Sequence, residues 1–191
     1  MSDLKFNPVF AGLPTTIFTH MSALAVKHNA INLGQGFPDE DGPTSIREAA
    51  AKVLRDGPNQ YPPTRGVMPL RAAIAKHAKR FYGLDFNTET DVLVTSGGTE
   101  ALTASIMGLA GPGGEVVLIE PAYDSYGPIA EAVGAKVKTL KLVPPAWKLD
   151  ADALAAVITP NTRVVMLNSP LNPIGRAFTR EELEGVARVI A

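Results

Sequence analysis

The stretch EVVLIEPAYDSYGPIAEAVGAKVKTLKL, residues 115–142, contains two runs rich in β-branched residues on either side of a segment with helical spacing. The runs EVVLIE (115–120) and KVKTLKL (136–142) predict strands, and the segment between them predicts a helix. A strand, a helix and a strand in this order predict a parallel pair joined by a helical crossover. This unit decides the fold class, because parallel sheets bury both faces under helices.

The alternation of strands and helices continues on both sides of this unit. The further strands are predicted at DVLVTS (91–96) and RVVMLN (163–168), and the further helices at GGTEALTASIMGLA (97–110), LDADALAAVI (149–158) and FTREELEGVARVI (178–190). We therefore predict an α/β fold with a mostly parallel sheet and helices on both faces. The apolar stripe of the last helix is still running at Ala191, so we expect the fold to be incomplete in this chain.

Local signals predict three helix boundaries. Ser45 with Glu48, and Thr179 with Glu182, have the spacing of capping boxes at helix starts. Gly83 follows an apolar stripe of helical period and predicts a helix end. These signals place one helix after residue 44, one before residue 83 and one near the end of the chain.

The amino-terminal part of the chain is richer in loops. Residues 31–43, INLGQGFPDEDGP, combine Gly, Pro and Asp and predict a loop. We expect two parts: an N-terminal segment, residues 1–43, and part of a larger domain, residues 44–191.

Composition excludes several functional classes. The 191 residues are 46% hydrophobic and 19% charged, which is typical of a globular protein with a core. A formal net charge of −1 gives no indication of a nucleic-acid or membrane-surface partner. The chain has no cysteine, and its three histidines have no partners at metal-ligand spacing, so we expect no metal site. The first ten residues lack an apolar signal core, so we expect a cytoplasmic protein.

Three polar loops directly follow predicted strands. They lie in VTSGGTEAL (94–102), EPAYDSYG (120–127) and NSPLNPIG (168–175). Taken alone, the first loop is equally typical of an ordinary turn, and the other two are more typical of ordinary loops than of a site. Open α/β sheets bind ligands at the carboxyl ends of their strands, so three such loops together indicate a binding site.

The residue types in these loops indicate what the site binds. Gly97 and Gly98 precede a predicted helix, so backbone N–H groups and the helix dipole suit a phosphate there. Tyr123 offers an aromatic face, and Asn172 offers an amide whose movement the flanking prolines restrict. The three loops together predict a site for a phosphorylated aromatic ring.

The loop NSPLNPIG resembles the N-x-P-x-N-P-x-G segment of fold-type-I aminotransferases, which use pyridoxal 5′-phosphate (PLP). Four other segments match this family in order and spacing: INLGQGFPD (31–39), NQYPPTRGVMPLR (59–71), SGGTEAL (96–102) and EPAYDSY (120–126). The similarity extends from about Phe18 to Ala191. The segments LGQGFPD and NQY are most similar to the kynurenine and methionine aminotransferase branch, which includes cysteine-conjugate β-lyases. The chain resembles only the N-terminal half of these enzymes.

The resemblance implies roles for residues of the three loops. Gly97, Gly98 and Thr99 would hold the PLP phosphate, mainly through backbone N–H groups. Tyr123 would stack on the pyridine ring. Asn172 would hydrogen-bond the ring's phenolic oxygen, keep it ionised and border the substrate.

The resemblance also implies roles outside these loops. Gly36 would line the site of the substrate carboxylate, and Phe18 would close the side-chain pocket. Tyr61 would reach the phosphate across a subunit interface, so a homodimer is implied. Family members hold the matching X-Pro bonds cis, which makes Glu120–Pro121 and Asn172–Pro173 expected cis peptides.

The resemblance further implies three groups that lie downstream of NSPLNPIG in the family. These are the Schiff-base lysine, an acid for the pyridine nitrogen and an arginine for the substrate carboxylate. Lys5 follows Ser2 at the S-x-x-K spacing but lies upstream of all five matching segments, and the other eight lysines lack that spacing: Lys27, Lys52, Lys76, Lys79, Lys136, Lys138, Lys141 and Lys148. We therefore name no catalytic residue in this chain and expect these lysines to be solvated surface charges.

Three functional hypotheses follow. In the first, the chain is the N-terminal portion of an aminotransferase that moves an amino group between an amino acid and a 2-oxo acid. In the second, the 191 residues act alone as an inactive phosphate- or pyridoxal-binding fragment. In the third, the complete protein is a PLP-dependent β-lyase. The residues of this chain cannot separate the first from the third, because the cofactor supplies the electron sink in both.

Overall fold

The computed structural model describes residues 6–36, 38 and 40–191 of the chain. The described residues form helices and three strands. In chain order these are α1 (Pro8–Ala11), α2 (Ile17–Lys27), α3 (Thr44–Asp56), α4 (Met68–Tyr82), α5 (Gly98–Leu109), β1 (Glu115–Glu120), α6 (Tyr126–Ala132), β2 (Lys136–Lys141), α7 (Ala151–Val157), β3 (Thr162–Met166) and α8 (Arg180–Ile190).

The chain divides into two compact units. The first comprises residues up to Gly12 together with Thr95–Ala191, and the second comprises Leu13–Val94. All three strands belong to the first unit. The division predicted between residues 43 and 44 lies within the second unit and remains a prediction.

The sheet of the first unit is parallel, with the strand order β2-β1-β3. Strand β1 lies in the centre, and its residues Glu115–Ile119 are buried. A central parallel strand is covered on both faces, which explains why its sequence is an unbroken apolar run.

Helices cover both faces of this sheet. Val117 and Ile119 of β1 belong to one apolar cluster, which includes Leu154 of α7 and Val186 of α8. The alternate residues of β1, Val116 and Leu118, belong to a second cluster with Ile106 of α5 and Ile129 of α6. Successive side chains of a strand point to opposite faces, so β1 contributes to both clusters. The predicted parallel α/β fold with helices on both faces is confirmed.

Several predicted helix boundaries are also confirmed. The Thr179 hydroxyl accepts from the Glu182 N–H at 3.2 Å, and the Glu182 carboxylate accepts from the Thr179 N–H at 2.8 Å, completing the capping box of α8. Helix α4 ends at Tyr82, and the predicted Gly83 is its C-cap, with a left-handed φ of 70°. None of the helices formed by the described residues combines the length and the apolar character needed to cross a membrane.

The prediction of a strand at residues 91–96 is wrong. These residues form no strand, and Leu93 is 54% exposed. The Val94 N–H donates at 3.1 Å to the carbonyl of Arg65, which lies in a loop. A strand requires a ladder of hydrogen bonds to a neighbouring strand, and β propensity alone does not supply one.

The capping box predicted at Ser45 and Glu48 is also wrong. Helix α3 begins at Thr44, its N-cap is Pro43, and no side chain caps it. Ser45 therefore lies inside the helix, where the capping geometry does not exist. The predicted loop at 31–43 is confirmed for its described residues, which form no helix or strand, while Phe37 and Asp39 lie outside them.

Candidate functional site

The first helix turn of α5 contains Gly98 and Thr99, and Gly97 is its N-cap. No side chain makes a capping hydrogen bond to this helix start. The first N–H groups of a helix have no acceptor within the helix, and the dipole places partial positive charge there. The backbone N–H groups of Gly98 and Thr99 therefore suit an anionic ligand.

The turn before α5 is held by two polar contacts. The Ser96 N–H donates to the Glu100 carboxylate, and the Thr95 hydroxyl donates to the Gly97 carbonyl at 2.9 Å. The sequence analysis missed the role of Glu100, although an acid in a first helical turn is a recognised stabilising signal.

The space in front of these glycines is open. A Cβ built on Gly97 or on Gly98 would meet no atom within 4 Å. Gly97 has a φ of 86° and a ψ of 169°, a combination that is essentially restricted to glycine. The turn therefore presents backbone, without side-chain cover, to any ligand at the start of α5.

Tyr123 lies in the turn that follows β1, and its side chain is half-buried. Its ring contacts that of Tyr126 edge to face, with centroids 5.7 Å apart and an angle of 62° between the planes. Such a contact stabilises one orientation of the ring. The Glu120–Pro121 bond before this turn is cis, as predicted.

Asn172 is exposed in the loop after β3. Its backbone N–H donates to the Asn168 side-chain oxygen at 2.8 Å. The Asn172–Pro173 bond is cis, as predicted, and the Ser169–Pro170 bond, for which no prediction was made, is cis as well.

The topology brings the loops after β1 and β3 to the same edge of the sheet, and the connection of α5 to β1 indicates that the start of α5 lies towards that edge. Strands β1 and β3 are parallel neighbours, so the loops that contain Tyr123 and Asn172 leave the sheet at its carboxyl edge. Helix α5 ends at Leu109 and is joined by a short turn to the start of β1, so its other end points towards the carboxyl edge. Its twelve residues span about 18 Å, which is close to the length of a six-residue strand.

Three further predicted site residues belong to the second unit, Leu13–Val94. Phe18 is half-buried on α2, Gly36 is exposed with open space around it, and Tyr61 is 98% exposed in the loop before α4. Their participation in the same site remains a prediction.

An ion pair that was not predicted from the sequence joins Arg176, at the end of the loop containing Asn172, to Glu182 of α8. Arg176 donates to both oxygens of the Glu182 carboxylate, at 2.8 and 3.0 Å. These hydrogen bonds, with further ones from the backbone of Thr179 and Leu149, outweigh the opposing effect of burial and lower the pKa of Glu182 to about 2. The sequence pattern revealed the capping role of Glu182 but none of its long-range partners.

The described part of the chain contains no cluster of His, Cys, Asp or Glu that could hold a metal ion. The groups proposed for the site are backbone N–H groups, an aromatic ring and an amide. These groups suit an organic phosphate with an aromatic ring better than a metal.

The family model for class I and II aminotransferases matches residues 28–191. The chain belongs to this family. This match confirms the resemblance deduced from the five sequence segments. Solved structures of aminotransferases also share the fold described above.

Three relatives illustrate the range of this family near the present chain. A probable N-succinyldiaminopimelate aminotransferase of Mycobacterium tuberculosis is 51% identical over 92% of this chain and 45% of its own length. A kynurenine–oxoglutarate transaminase of Dictyostelium discoideum is 36% identical over 92% of this chain and 44% of its own. A solved structure of an Escherichia coli protein with methionine aminotransferase function matches with a TM-score of 0.92 at 43% identity, covering 98% of this chain and 49% of that one.

The chain therefore spans about half the length of the curated relatives that it matches. This agrees with the prediction that it corresponds to the N-terminal half of a family member.

Proposed function

We propose that the protein containing this chain is a PLP-dependent aminotransferase that moves an amino group between an amino acid and a 2-oxo acid. Family membership over residues 28–191 supports this proposal. The observation that carries it is the uncapped start of α5, with open space before Gly97 and Gly98, in the unit whose sheet has Tyr123 and Asn172 in the loops at its carboxyl edge.

The residues at this edge fit PLP. The N–H groups of Gly98 and Thr99 would bind the phosphate, and Gly97 would allow the phosphate to approach the backbone closely. The ring of Tyr123, oriented by Tyr126, would stack on the pyridine ring. The exposed side chain of Asn172 would donate a hydrogen bond to the phenolic oxygen and border the substrate.

PLP, when bound, supplies an electron sink for the bonds at the substrate Cα. The residues of this chain would bind it, orient its ring and keep its phenolic oxygen ionised. The Schiff-base lysine would come from residues beyond this chain, because the family places it after the Asn172 loop and no lysine follows Lys148 here.

Substrate binding and assembly complete the proposal. Gly36 would line the carboxylate site, Phe18 would close the side-chain pocket, and Tyr61 would bind the phosphate of a partner subunit in a cytoplasmic homodimer. The 98% exposure of Tyr61 is consistent with a contact to a second subunit. The names of the relatives provide the first amino donors to test: N-succinyldiaminopimelate, methionine and kynurenine.

The test is a PLP titration of the full-length protein, followed by addition of each donor without an oxo acid. Binding should produce the absorption band of enzyme-bound PLP, and a true donor should convert it to the band of the amino form of the cofactor. With a cysteine S-conjugate as a fourth substrate, whose thiol can leave from Cβ, release of the thiol, ammonia and a 2-oxo acid without the amino form would identify a β-lyase instead. An Asn172→Ala variant that binds PLP as tightly as the parent would contradict the assignment of this site.

Borohydride reduction then locates the covalent attachment. We expect the reduced cofactor on a lysine outside residues 1–191. A reduced adduct on any of the nine lysines of this chain would refute that assignment. An intact mass of 20.2 kDa for the natural protein would favour the stand-alone fragment.

A further inference from the structure

The side chain of Arg176 links the Asn172 loop to two other segments. Its Nε donates to the carbonyl of Ala146 at 2.9 Å, and its terminal nitrogens donate to Glu182 Oε1 at 2.8 Å and Oε2 at 3.0 Å. The Arg176 side chain is 23% exposed and that of Glu182 only 8%. A bidentate ion pair shielded from water in this way defines geometry more strictly than an exposed pair does.

The backbone of Arg176 closes the same loop. Its carbonyl accepts from the Leu171 N–H at 2.8 Å, and the Leu171 carbonyl accepts from the Gly175 N–H at 2.7 Å. Asn172 lies inside this closed segment, directly after Leu171, which is 2% exposed. Displacement of Arg176 would therefore open the segment that contains Asn172.

Glu182 is itself held in place by the fold. Its carboxylate accepts from the backbone N–H of Thr179 at 2.8 Å and of Leu149 at 3.0 Å. Leu149 and the neighbouring Val186 of α8 both belong to the buried apolar cluster of the first unit. The ion pair thus connects the Asn172 loop to the core.

We propose that Arg176 and Glu182 are positioning residues that fix the amide of Asn172 at the carboxyl edge of β3. The inference rests on the proposed function, because it assigns that amide to the phenolic oxygen of the cofactor. It goes beyond the cofactor contacts themselves, since neither Arg176 nor Glu182 would touch the cofactor or the substrate.

The first experiment measures hydrogen exchange of the full-length protein without cofactor. In Arg176→Met and in Glu182→Gln, the peptide containing the amides of Leu171 and Gly175 should exchange about tenfold faster than in the parent. The matched controls are Arg180→Met and Glu184→Gln, because this Arg–Glu pair lies on α8 beside Glu182 but is 3.7 Å apart and exposed. We expect these controls to stay within about twofold of the parent.

The conservative variant Arg176→Lys retains the charge but cannot form the bidentate pair. Its exchange rate at Leu171 and Gly175 should lie between those of the parent and of Arg176→Met. If Arg176→Met fails to fold, Arg176→Lys is compared with the parent in its place. Exchange at Leu171 and Gly175 that is unchanged in Arg176→Lys and Glu182→Gln would overturn the proposal.

The second experiment measures the pKa of the chromophore of bound PLP in the full-length protein. Asn172→Ala removes a hydrogen bond to the ionised phenolic oxygen, so it should raise this pKa, by about one unit. Introduced into the parent sequence, Arg176→Lys should raise this pKa. Introduced into Asn172→Ala, the same substitution should leave the pKa unchanged. An equal shift in both backgrounds would mean that Arg176 does not act through Asn172 and would overturn the proposal.

The two experiments distinguish this inference from the proposed function. A parent protein that binds no PLP contradicts the proposed function, whereas the exchange measurement still decides whether the ion pair fixes the loop.

Discussion

Gly97 and Gly98 are adjacent, yet only the backbone of Gly97 requires glycine. Gly97 has a φ of 86° and a ψ of 169°, a backbone conformation that is strained for any residue with a Cβ, even though the space around Gly97 is open. Gly98 is the first residue of α5 and has no positive φ, so any residue could adopt its conformation. A side chain at Gly98 would instead enter the space proposed for the phosphate.

This difference predicts opposite results for two alanine substitutions. Gly97→Ala should lower the free energy of unfolding by about 1–3 kcal/mol, because alanine rarely adopts this conformation. Gly98→Ala should leave it unchanged or raise it by up to about 1 kcal/mol, because alanine favours helix. Urea denaturation of both variants measures the difference. Equal destabilisation would contradict the assigned role of the Gly97 backbone.

The roles of single residues were predictable where neighbours in sequence determine them. Gly97, Tyr123 and Asn172 were recognised because each lies in a short segment with a known spacing. Arg176 was not recognised, because its partners Ala146 and Glu182 are brought to it only by the fold. A contact between residues 30 positions apart leaves no periodic signal in a single sequence.

At the scale of the helix, the start of α8 connects local and long-range order. Thr179 and Glu182 cap the helix, and the same carboxylate binds Arg176 and the Leu149 N–H. One side chain thus stabilises a helix end and joins two loops to it. Its ionisation should consequently affect the stability of the whole unit.

The pKa of Glu182 predicts the direction of this effect. The folded-state pKa is lowered from 4.5 to about 2, so the folded state favours the charged form. The resulting stabilisation is complete above about pH 5 and is lost as the pH falls from about 4.5 towards 2. At about 1.4 kcal/mol per pKa unit, the fall from 4.5 to about 2 corresponds to roughly 3–4 kcal/mol.

Glu182→Gln tests this prediction. The variant should be less stable than the parent at pH 7, and the difference should narrow between pH 5 and pH 2. Urea denaturation at several pH values measures it, with the exposed Glu184→Gln as control. A difference that stays constant across this range would show that the charge of Glu182 does not provide the stabilisation.

Elements were predicted well where their own sequence determines them. Strand β1 was predicted from an unbroken apolar run, and α8 from a capping box with an amphipathic stripe. The segment 91–96 has similar β propensity but forms no strand, because a strand depends on a partner that the segment's own sequence does not specify. The N-cap of α3 was predicted two residues too late, at Ser45 and not at Pro43, which is enough to remove Ser45 from the capping position.

The helices also differ in how much they bury. Leu154 of α7 is fully buried, whereas Leu54 of α3 is 69% exposed. In a polypeptide of residues 1–191, Leu154→Ala should lower the free energy of unfolding by about 2–5 kcal/mol. Leu54→Ala should lower it by less than about 0.5 kcal/mol. Urea denaturation compares the two, and a similar loss for both would contradict the burial described here.

At the scale of the whole molecule, the residues proposed to bind PLP are distributed over both units of the chain. Gly98, Tyr123 and Asn172 belong to the unit that contains the sheet, and Tyr61 belongs to the other. Family resemblance predicts that Tyr61 acts on the site of a partner subunit. The sequence of one chain cannot reveal this, since residues that meet across an interface have no fixed spacing.

Mixed dimers provide the test of this arrangement. Tyr61→Phe and Asn172→Ala should each weaken PLP binding when present in both subunits. If Tyr61 acts across the interface, a hybrid dimer has one site with both substitutions and one site with neither.

Random mixing of the two full-length variants should then restore parental PLP affinity in about a quarter of the sites, because about half of the dimers are hybrids. If Tyr61 acts within its own subunit, every site keeps one substitution, and mixing restores none. Titration of the mixture with PLP, compared with each variant alone, distinguishes these results.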